Sequence, residues 1–387
     1  MNAPAVAQDR PRGAGPGGPR LQSALIQVAA LAVLFLACYL IYRTTAANLA
    51  RQGIASGFDF LWRRSGFAIT PNLIPFDPEA TFARALLVGL LNTLLLSVIA
   101  MAASTVLGVL IGLARLSSNW LARNLALAYV ETFRNIPLLL QIFFWYFGVL
   151  RTLPGPRDSL ALFDAVFLNS RGLYVPMPIV RDAGWLGAAA ILLLLASAAM
   201  RYRRRRGTSR RWPGVVLAAA LALALIGGLV VGWDVPRLAG FNFVGGAALV
   251  PELIAIAAAL SIYQAAFIAE AVRGAILSVP QGQVEAARSL GLAERTILRL
   301  IVLPQALRTL LPPLITLHLS TLKNSSLGAA IGYPEFVSVF AGTTLSLVGQ
   351  AVEIMSMTLM IYLLMGMIVA GALNLLDWRL RSRGGHG

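Results

Sequence analysis

Long apolar runs separated by short polar segments dominate the chain between residues 22 and 376. A helix needs about 20 apolar residues to cross the hydrocarbon of a bilayer. Eight runs approach this length and predict transmembrane helices at residues 22–42, 85–114, 125–150, 185–200, 213–233, 248–272, 304–324 and 351–376. Backbone polar groups inside a bilayer must be satisfied locally, which favours helices for these runs. The pattern therefore predicts an all-α polytopic membrane protein.

The amino-acid composition agrees with a membrane-embedded chain. Hydrophobic residues make up 58% of the sequence and charged residues 12%, with a mean hydropathy of +0.75, whereas soluble domains carry roughly 25% charged residues. The net charge of +16 does not indicate nucleic-acid binding, because the basic residues cluster in short loops and form no basic face with interleaved aromatic residues. Two histidines and the single Cys38 are too few ligands for a metal site, and none is predicted.

The arginine-rich segment 201–211 sets the direction of the chain across the membrane. It contains seven arginines in eleven residues, and short loops rich in basic residues stay on the cytoplasmic side. Alternation of the eight helices then places both termini and the polar loop 280–304 in the cytoplasm, with residues 43–84 and 151–184 outside. The first apolar run is longer than the core of a secretory signal peptide, so it is predicted to remain as an uncleaved helix.

Differences in residue composition along the chain predict a core of transmembrane helices with additional segments. Residues 185–233 read as two plain Ala/Leu helices and are interpreted as a hairpin inserted into a five-helix core. The predicted regions are a disordered cytoplasmic N-terminus at 1–21, an additional helix with an outer segment at 22–84, the first part of the core at 85–150, an inserted region with two helices at 151–247, the second part of the core at 248–376 and a cytoplasmic tail at 377–387.

The 280–304 loop carries the most specific pattern in the sequence. Glu285, Ala286 and Ala287 are followed at fixed spacing by Gly291 and by Pro304. The alanines favour a short helix, Gly291 favours a break, and Pro304 suits the first turn of the next helix. A short helix–turn–helix at the membrane surface is therefore predicted, with small side chains that let a partner protein approach closely.

This loop and several motifs in the core helices resemble the polar-amino-acid branch of the ABC-importer permeases. The matching residues are Asn92-Thr93-Leu94, Glu131-Thr132-Phe133-Arg134-Asn135-Ile136-Pro137-Leu138 with Gln141, Ala269-Glu270-Ala271-Val272-Arg273-Gly274-Ala275-Ile276, Pro280-Gln281-Gly282-Gln283, Leu303-Pro304-Gln305-Ala306-Leu307-Arg308 and Lys323-Asn324-Ser325-Ser326-Leu327. The resemblance covers residues 85–150 and 248–376. With its additional helices and its length, the chain looks most like the larger permease subunit of general L-amino-acid importers.

The resemblance implies a type I ABC-importer transmembrane domain in a bacterial inner membrane, and a non-catalytic pore subunit. It implies that the 280–304 loop docks into an ATPase. The coupling residues carried over are Gly282, Glu285, Ala286, Ala287, Arg288, Gly291 and Leu292. The implied partners are a related permease subunit in a heterodimer, two ATPase subunits and a periplasmic amino-acid-binding protein.

No cofactor is expected on this chain, and ATP and Mg are assigned to the partner ATPase. A phosphate-binding loop needs Gly-Lys-Ser/Thr at its end, but the only lysine, Lys323, follows Leu322. The chain is therefore not expected to hydrolyse ATP by itself.

Polar residues within the predicted helices are candidates for the substrate path, because such groups in a bilayer usually face a cavity or a partner. The candidates are Asn92, Thr93, Gln264, Thr316, His318, Lys323, Asn324 and Ser325. Structural roles remain open for them: hydrogen bonds between helices, helix packing of the histidine, and an interfacial lysine with helix capping. Residues 316, 320 and 323 are spaced to share one helix face.

Two further features concern the path and its substrates. Arg134, Asn135 and Pro137 predict a kink that is either a gate or a plain bend. Permeases resembling this one that carry cationic amino acids tend to have an acidic residue where Thr316-Leu317-His318 stands here. The expected substrates are therefore L-amino acids of broad type, whether polar, neutral or acidic. Glu270 and Arg273, three residues apart, are expected to form a structural ion pair.

The alternative function is a secondary amino-acid transporter that works without an ATPase. Ion coupling in such transporters uses carboxylates inside the membrane, whereas Glu270 and Glu353 lie near the ends of predicted helices. A membrane-embedded enzyme would need a nucleophile with a base, paired carboxylates or a metal cluster, and the sequence predicts none of these. A scaffold that binds anionic lipid through its arginines would leave the spacing in the 280–304 loop unexplained.

Overall fold

The computed structural model describes residues 18–51, 57–180 and 230–382. In these ranges the α-helices are α1 Gly18–Arg51, α2 Phe82–Arg115, α3 Trp120–Asn135, α4 Leu138–Phe143, α5 Pro251–Leu277, α6 Gln281–Ser289, α7 Glu294–Ile297, α8 Leu303–Asn324, α9 Leu345–Val348 and α10 Ala351–Ser382. The strands are β1 Leu160–Leu162, β2 Val166–Asn169, β3 Gly172–Val175, β4 Met177–Val180, β5 Val230–Asp234, β6 Arg237–Ala239, β7 Asn242–Val244 and β8 Ala247–Leu249.

Four helical segments in these ranges are long and apolar enough to cross a membrane. They are Phe82–Arg115, Pro251–Leu277, Glu294–Ile331 and Ala351–Leu375, and they confirm the helices predicted at 85–114, 248–272, 304–324 and 351–376. A shorter apolar helix, Leu25–Ile41 within α1, coincides with the prediction at 22–42. The predicted helical fold class is therefore confirmed.

The helix predicted at 125–150 is a sharply bent pair and not one straight span. α3 and the segment Leu138–Thr152 meet at an angle of 104°. Ile136 between them has an extended backbone, with φ −86° and ψ 125°, because the residue before a proline avoids the helical region and Pro137 has no N–H to continue α3. The kink predicted at Pro137 is confirmed.

Two segments predicted from the sequence need correction. The helix predicted at 213–233 cannot reach its last residues, since Val230–Asp234 forms β5, where valines and a tryptophan favour a strand. The remainder of that helix and the one predicted at 185–200 lie outside the described residues. Helix α1 already begins at Gly18, so the disorder predicted for 1–21 does not extend over 18–21. Helix α10 continues to Ser382 and so includes the first residues of the segment 377–387, whose assignment as a cytoplasmic tail stays a prediction.

In the described residues between α4 and α5 there are three small antiparallel sheets, and the sequence pattern did not predict them. One sheet has the order β1–β2–β3–β8, and the other two pair β4 with β5 and β6 with β7. The Phe243 ring in β7 packs on Phe167 and Tyr174 of the first sheet, with 4.7 Å between centroids in both pairs. β8 ends directly before α5, a helix of 27 residues that extends about 40 Å. The sheets and the 280–304 loop therefore lie at opposite ends of α5.

Helices α2 and α5 form the centre of the helical part. Gly108 of α2 approaches α5 so closely that a Cβ built on it would lie 2.6 Å from the Ile268 Cβ. Small residues at such a crossing let two backbones come together and increase van der Waals contact. Beside this crossing, Ile142, Ile256 and Leu260 belong to an apolar cluster of buried side chains.

Residues 325–348 form an irregular helical segment that the sequence did not predict. A 3₁₀ turn at Ser325–Ile331 ends at Gly332, whose φ is +80°, and a π-helical turn follows at Val337–Thr344. The buried rings of Phe336 and Phe340 stack with 5.7 Å between centroids, and they pack with Phe60 in one apolar cluster. This contact attaches the outer segment 57–81 to the helices.

Candidate functional site

The 280–304 loop folds as the sequence predicts. α6 begins after Pro280 and ends at Ser289, and Gly291 then adopts a left-handed backbone with φ +74°. The Gly291 N–H donates to the Arg288 carbonyl at 2.9 Å, and the Leu292 N–H donates to the Ala287 carbonyl at 3.2 Å. Such backbone bonds close a helix C-terminus around a left-handed glycine. α7 begins three residues later, so the predicted helix–turn–helix with a break at Gly291 is confirmed.

The loop presents most of the predicted coupling residues to the outside of the chain. Six of them are exposed: Gly282, Glu285, Ala286, Arg288, Gly291 and Leu292. Ala287 is the exception, at 3% exposed, and it packs inward. Leu290 was not among the predicted residues, yet it is 80% exposed at the turn. An apolar side chain flanked by charges on an exposed turn is typical of a protein-docking surface.

Two side-chain contacts fix the shape of this loop. Arg288 donates from Nε to Glu294 Oε1 at 2.6 Å and from Nη2 to Oε2 at 3.2 Å, which bridges α6 and α7 across the Gly291 turn. The hydrogen bond from Arg288 lowers the pKa of the Glu294 carboxyl below its ordinary value. At the base of the loop, Gln305 of α8 donates from Nε2 to Gln283 Oε1 at 2.6 Å. The loop is therefore connected directly to α8.

Helix α8 carries a polar face that no other described segment covers. Thr316 and Lys323 are exposed and Ser320 is half-buried, as expected from their spacing. The Ser320 hydroxyl donates to the Thr316 carbonyl at 3.1 Å. Within the described part of the chain, no carboxylate lies within ion-pair distance of Lys323. Asn324 is half-buried at the end of α8, and the buried Ser325 hydroxyl donates to the Leu322 carbonyl at 2.7 Å.

Asn92 and Thr93, in contrast, are fully buried in contacts between segments. Asn92 Nδ2 donates to the carbonyls of Pro71 and Pro334, both at 2.9 Å. The Thr93 hydroxyl accepts from the Phe336 N–H at 2.9 Å. These bonds connect α2 to the outer segment and to residues 332–336. The assignment of both residues to the substrate path stays a prediction.

Gln264 and His318 attach α8 to its neighbours. Gln264 of α5 donates from Nε2 to the Leu317 carbonyl at 2.7 Å. His318 Nε2 lies 3.3 Å from the hydroxyl of Thr105 in α2. That hydroxyl already donates to the Met101 carbonyl at 2.7 Å, so the network assigns the proton to His318 Nε2. Both side chains are buried, and their role in the substrate path stays a prediction.

The predicted gate residues lie at the bend between α3 and α4, and all three are exposed. Asn135 Nδ2 donates to the Glu131 carbonyl at 2.7 Å, and the Arg134 guanidinium lies 5.1 Å from the centre of the Phe267 ring. The bend is held by Gln141, which donates to the carbonyls of Phe133 and Ile136 at 3.0 Å each. Gln141 appeared in the sequence motif without an assigned role, because its partners lie across the bend.

An ion cluster joins α2 to α5 near the end of α5 that precedes the 280–304 loop. Arg273 Nε donates to Glu270 at 3.0 Å, which confirms the predicted pair. Arg115 of α2 also binds Glu270. Sequence spacing could not reveal this third member, because it comes from another helix.

Comparison with known proteins gives the family. Residues 208–382 match the family described as the binding-protein-dependent transport system inner membrane component. The chain is 46% identical to the putative amino-acid ABC transporter permease protein YhdX of Escherichia coli (strain K12), over 94% of this chain and 95% of that protein. It is 44% identical to the general L-amino acid transport system permease protein AapQ of Rhizobium johnstonii, over 92% and 91%. It is 36% identical to the glutamate/glutamine/aspartate/asparagine transport system permease protein BztB of Rhodobacter capsulatus, over 92% and 93%.

Similarity over almost the whole chain confirms the resemblance seen in the sequence motifs and does not favour a secondary transporter. Together with the apolar helices, it makes the chain a multi-pass inner-membrane protein. Subunits of this class are membrane pore components that work with an ATPase and a substrate-binding protein. The chain belongs to the family of amino-acid ABC transporter permeases.

Proposed function

We propose that this chain is one half of the pore of an importer for polar, neutral and acidic L-amino acids, which a periplasmic binding protein delivers. The names of its relatives support this range: AapQ is a general L-amino acid permease, and BztB belongs to a system for glutamate, glutamine, aspartate and asparagine. The absence of an acidic residue at Thr316-Leu317-His318 agrees with substrates other than cationic amino acids.

The observation that carries the proposal is the connection from the exposed 280–304 loop to α8. The loop offers Glu285, Ala286 and Leu290 to a partner, while Gln283 contacts Gln305 at the start of α8. A shift of α6 is therefore transmitted to the helix that bears Thr316 and Lys323. A partner moves such an equilibrium only through contacts that differ between the two states, and an exposed loop bound by an ATPase provides them.

In this mechanism the polar face of α8 lines the substrate path. Its exposed groups are hydroxyls and the Lys323 ammonium, which suit the carboxylate that all amino acids carry. The described part of the chain leaves this face uncovered, so a second, related permease closes the path from the other side as a heterodimer. Each permease receives one ATPase, and ATP and Mg are held on those ATPases. Both termini and the 280–304 loop lie in the cytoplasm, as the arginine-rich segment 201–211 requires.

The test is substrate-stimulated ATP hydrolysis by the importer in liposomes, with this chain, its partner permease, the ATPase and the binding protein. The Gly291→Pro change forces φ to about −65° where the turn needs +74°. Combined with Glu285→Arg, it should abolish stimulation while the chain still inserts and assembles. The matched control is Gly274→Ala, a helical glycine whose added Cβ meets no atom within 4 Å. If the double variant assembles and couples like wild type, the 280–304 loop is not the coupling element.

A further inference from the structure

The hairpin formed by β1 and β2 combines an exposed apolar edge with a strained turn. β1 is an edge strand of the four-stranded sheet, and all three of its residues are exposed. Leu160 and Leu162 are 55% and 58% exposed and point to one side, as alternate residues of a strand do. Phe163 follows at the turn and is 90% exposed. Proteins usually protect edge strands with charge, proline or a cover, and an uncovered apolar edge indicates a binding surface.

The backbone conformation of the turn is unfavourable for Phe163. Phe163 and Asp164 both have positive φ, at 55° and 49°, in a turn closed by the Ala165 N–H donating to the Leu162 carbonyl at 3.3 Å. Glycine, asparagine and aspartate tolerate such positions, so Asp164 suits the turn, whereas a bulky aromatic residue such as Phe163 is disfavoured there. A bulky ring held in this conformation and exposed to solvent contributes no packing within the described chain that would offset the strain.

The hairpin is anchored firmly at its other end. The buried Asn169 donates from Nδ2 to the Ser159 hydroxyl at 2.9 Å and accepts from the Arg171 N–H at 2.8 Å. The Ser170 N–H donates to the Pro154 carbonyl at 2.9 Å. The apolar edge is therefore presented on a fixed base.

The turn of the hairpin lies at the end of the sheet away from the start of α5. Gly172, which begins β3, packs on the backbone of Leu249, two residues before α5 begins. The turn at Phe163 lies at the opposite end of β2, a strand of four residues that extends about 10 Å beyond that point. It also lies at the end of α5 opposite the 280–304 loop, on the side of the membrane where the proposed function places the binding protein.

Charge around the edge distinguishes between occupants. Asp158 and Asp164 are exposed on either side of residues 159–163, and the nearby Arg157 guanidinium is placed over the Phe241 ring at 4.3 Å. The two carboxylates outnumber this one guanidinium, so the charge beside the apolar strip is negative on balance and opposes insertion among anionic lipid headgroups. They complement a protein surface whose apolar patch has a basic rim.

We propose that the β1–β2 hairpin, through Leu160, Leu162 and Phe163, is a docking surface for the substrate-binding protein of this importer. The inference rests on the proposed function, because that function supplies both the partner and the side of the membrane. It goes further by assigning the contact to one hairpin of the region inserted between α4 and α5.

The test measures the affinity of the binding protein for the assembled importer in nanodiscs, together with ATP hydrolysis. Phe163→Asn removes the ring and suits positive φ, so the hairpin should fold at least as well as in wild type. Phe163→Asn with Leu162→Thr should raise the Kd for the binding protein about tenfold or more, as loss of an interface hot spot does. Basal ATP hydrolysis without binding protein should not change. The control is Phe58→Asn, which alters a ring that is 54% exposed in the outer segment, outside the hairpin, and should leave the Kd unchanged.

Two results would overturn the docking surface. One is a Kd of the binding protein for the hairpin variant that lies within about twofold of the wild-type value, while the binding protein still stimulates the wild-type importer. That result would leave the proposed function intact and remove the docking surface. The other comes from photocrosslinking with p-benzoylphenylalanine placed at position 163. A crosslink to lipid or to the partner permease, with none to the binding protein, would show that the hairpin contacts that molecule instead. A wild-type importer that no binding protein stimulates contradicts the proposed function itself.

Discussion

Replacement of Gly108 by alanine tests the close crossing of α2 and α5. A Cβ at this position would lie 2.6 Å from Cβ and Cγ2 of Ile268 and 3.0 Å from the Ala265 carbonyl oxygen. Nonbonded carbons are at their optimum at about 3.5–4.0 Å, so the helices would have to separate by roughly 1 Å. Ile268 is fully buried and cannot swing into solvent.

The matched control is Gly366→Ala in α10, where an added Cβ meets no atom within 4 Å. Both substitutions gain the same helix propensity, about 1 kcal/mol. The difference between their free energies of unfolding therefore gives the effect of overpacking at the crossing. Overpacking of this kind costs about 1–3 kcal/mol, and Gly108→Ala should be less stable than Gly366→Ala by that amount.

Reversible unfolding of the purified chain by SDS in mixed micelles measures the free energies. Gly112→Ala should behave like Gly108→Ala, because its Cβ would lie 2.8 Å from the Ala269 carbonyl oxygen. Equal stability of Gly108→Ala and Gly366→Ala, within about 0.5 kcal/mol, would refute the close crossing.

Two other predictions concern charged groups. The Glu294 carboxyl has a pKa below its ordinary value of 4.5 because Arg288 donates to it, so the bridge across the Gly291 turn is fully present above that value and is lost as the pH falls through the lower folded pKa. The distance between spin labels at positions 281 and 296 should therefore increase during acidification. The Glu294→Gln variant should show the longer and broader distance distribution at every pH. A wild-type protein whose distance does not change with pH would contradict the bridge. Lys323→Gln should raise the KM for glutamate uptake in proteoliposomes about tenfold, and Lys323→Arg should restore it; an unchanged KM for the glutamine variant would remove Lys323 from the substrate path.

The sequence could predict the features that depend on single residues or on neighbours along the chain. Apolar length alone located α2, α5, α8 and α10, because the bilayer sets that length. The breaks at Gly291 and Pro137 were also predictable, since a left-handed backbone and a missing N–H are properties of single residues. The Glu270–Arg273 pair followed from spacing along one helix.

Features that depend on distant parts of the chain escaped the sequence pattern. Arg115 reaches Glu270 only because Gly108 and Gly112 bring two helices together, and no periodicity records that. The strands between α4 and α5 are three to five residues long, too short for alternation to separate them from loops. The exposure of Leu290 and Phe163 depends on how their turns fold, which composition does not reveal.

The pairing of β4 with β5 has a consequence for the length of the segment that these two strands flank. Val180 and Val230, the residues that flank the segment 181–229, are direct partners in the ribbon. The two ends of this segment are therefore close together, and the entropic cost of closing a loop between such ends increases only slowly with the length of the loop. A change in the number of residues between Val180 and Val230 would therefore leave this ribbon, and the helices on either side of it, in place.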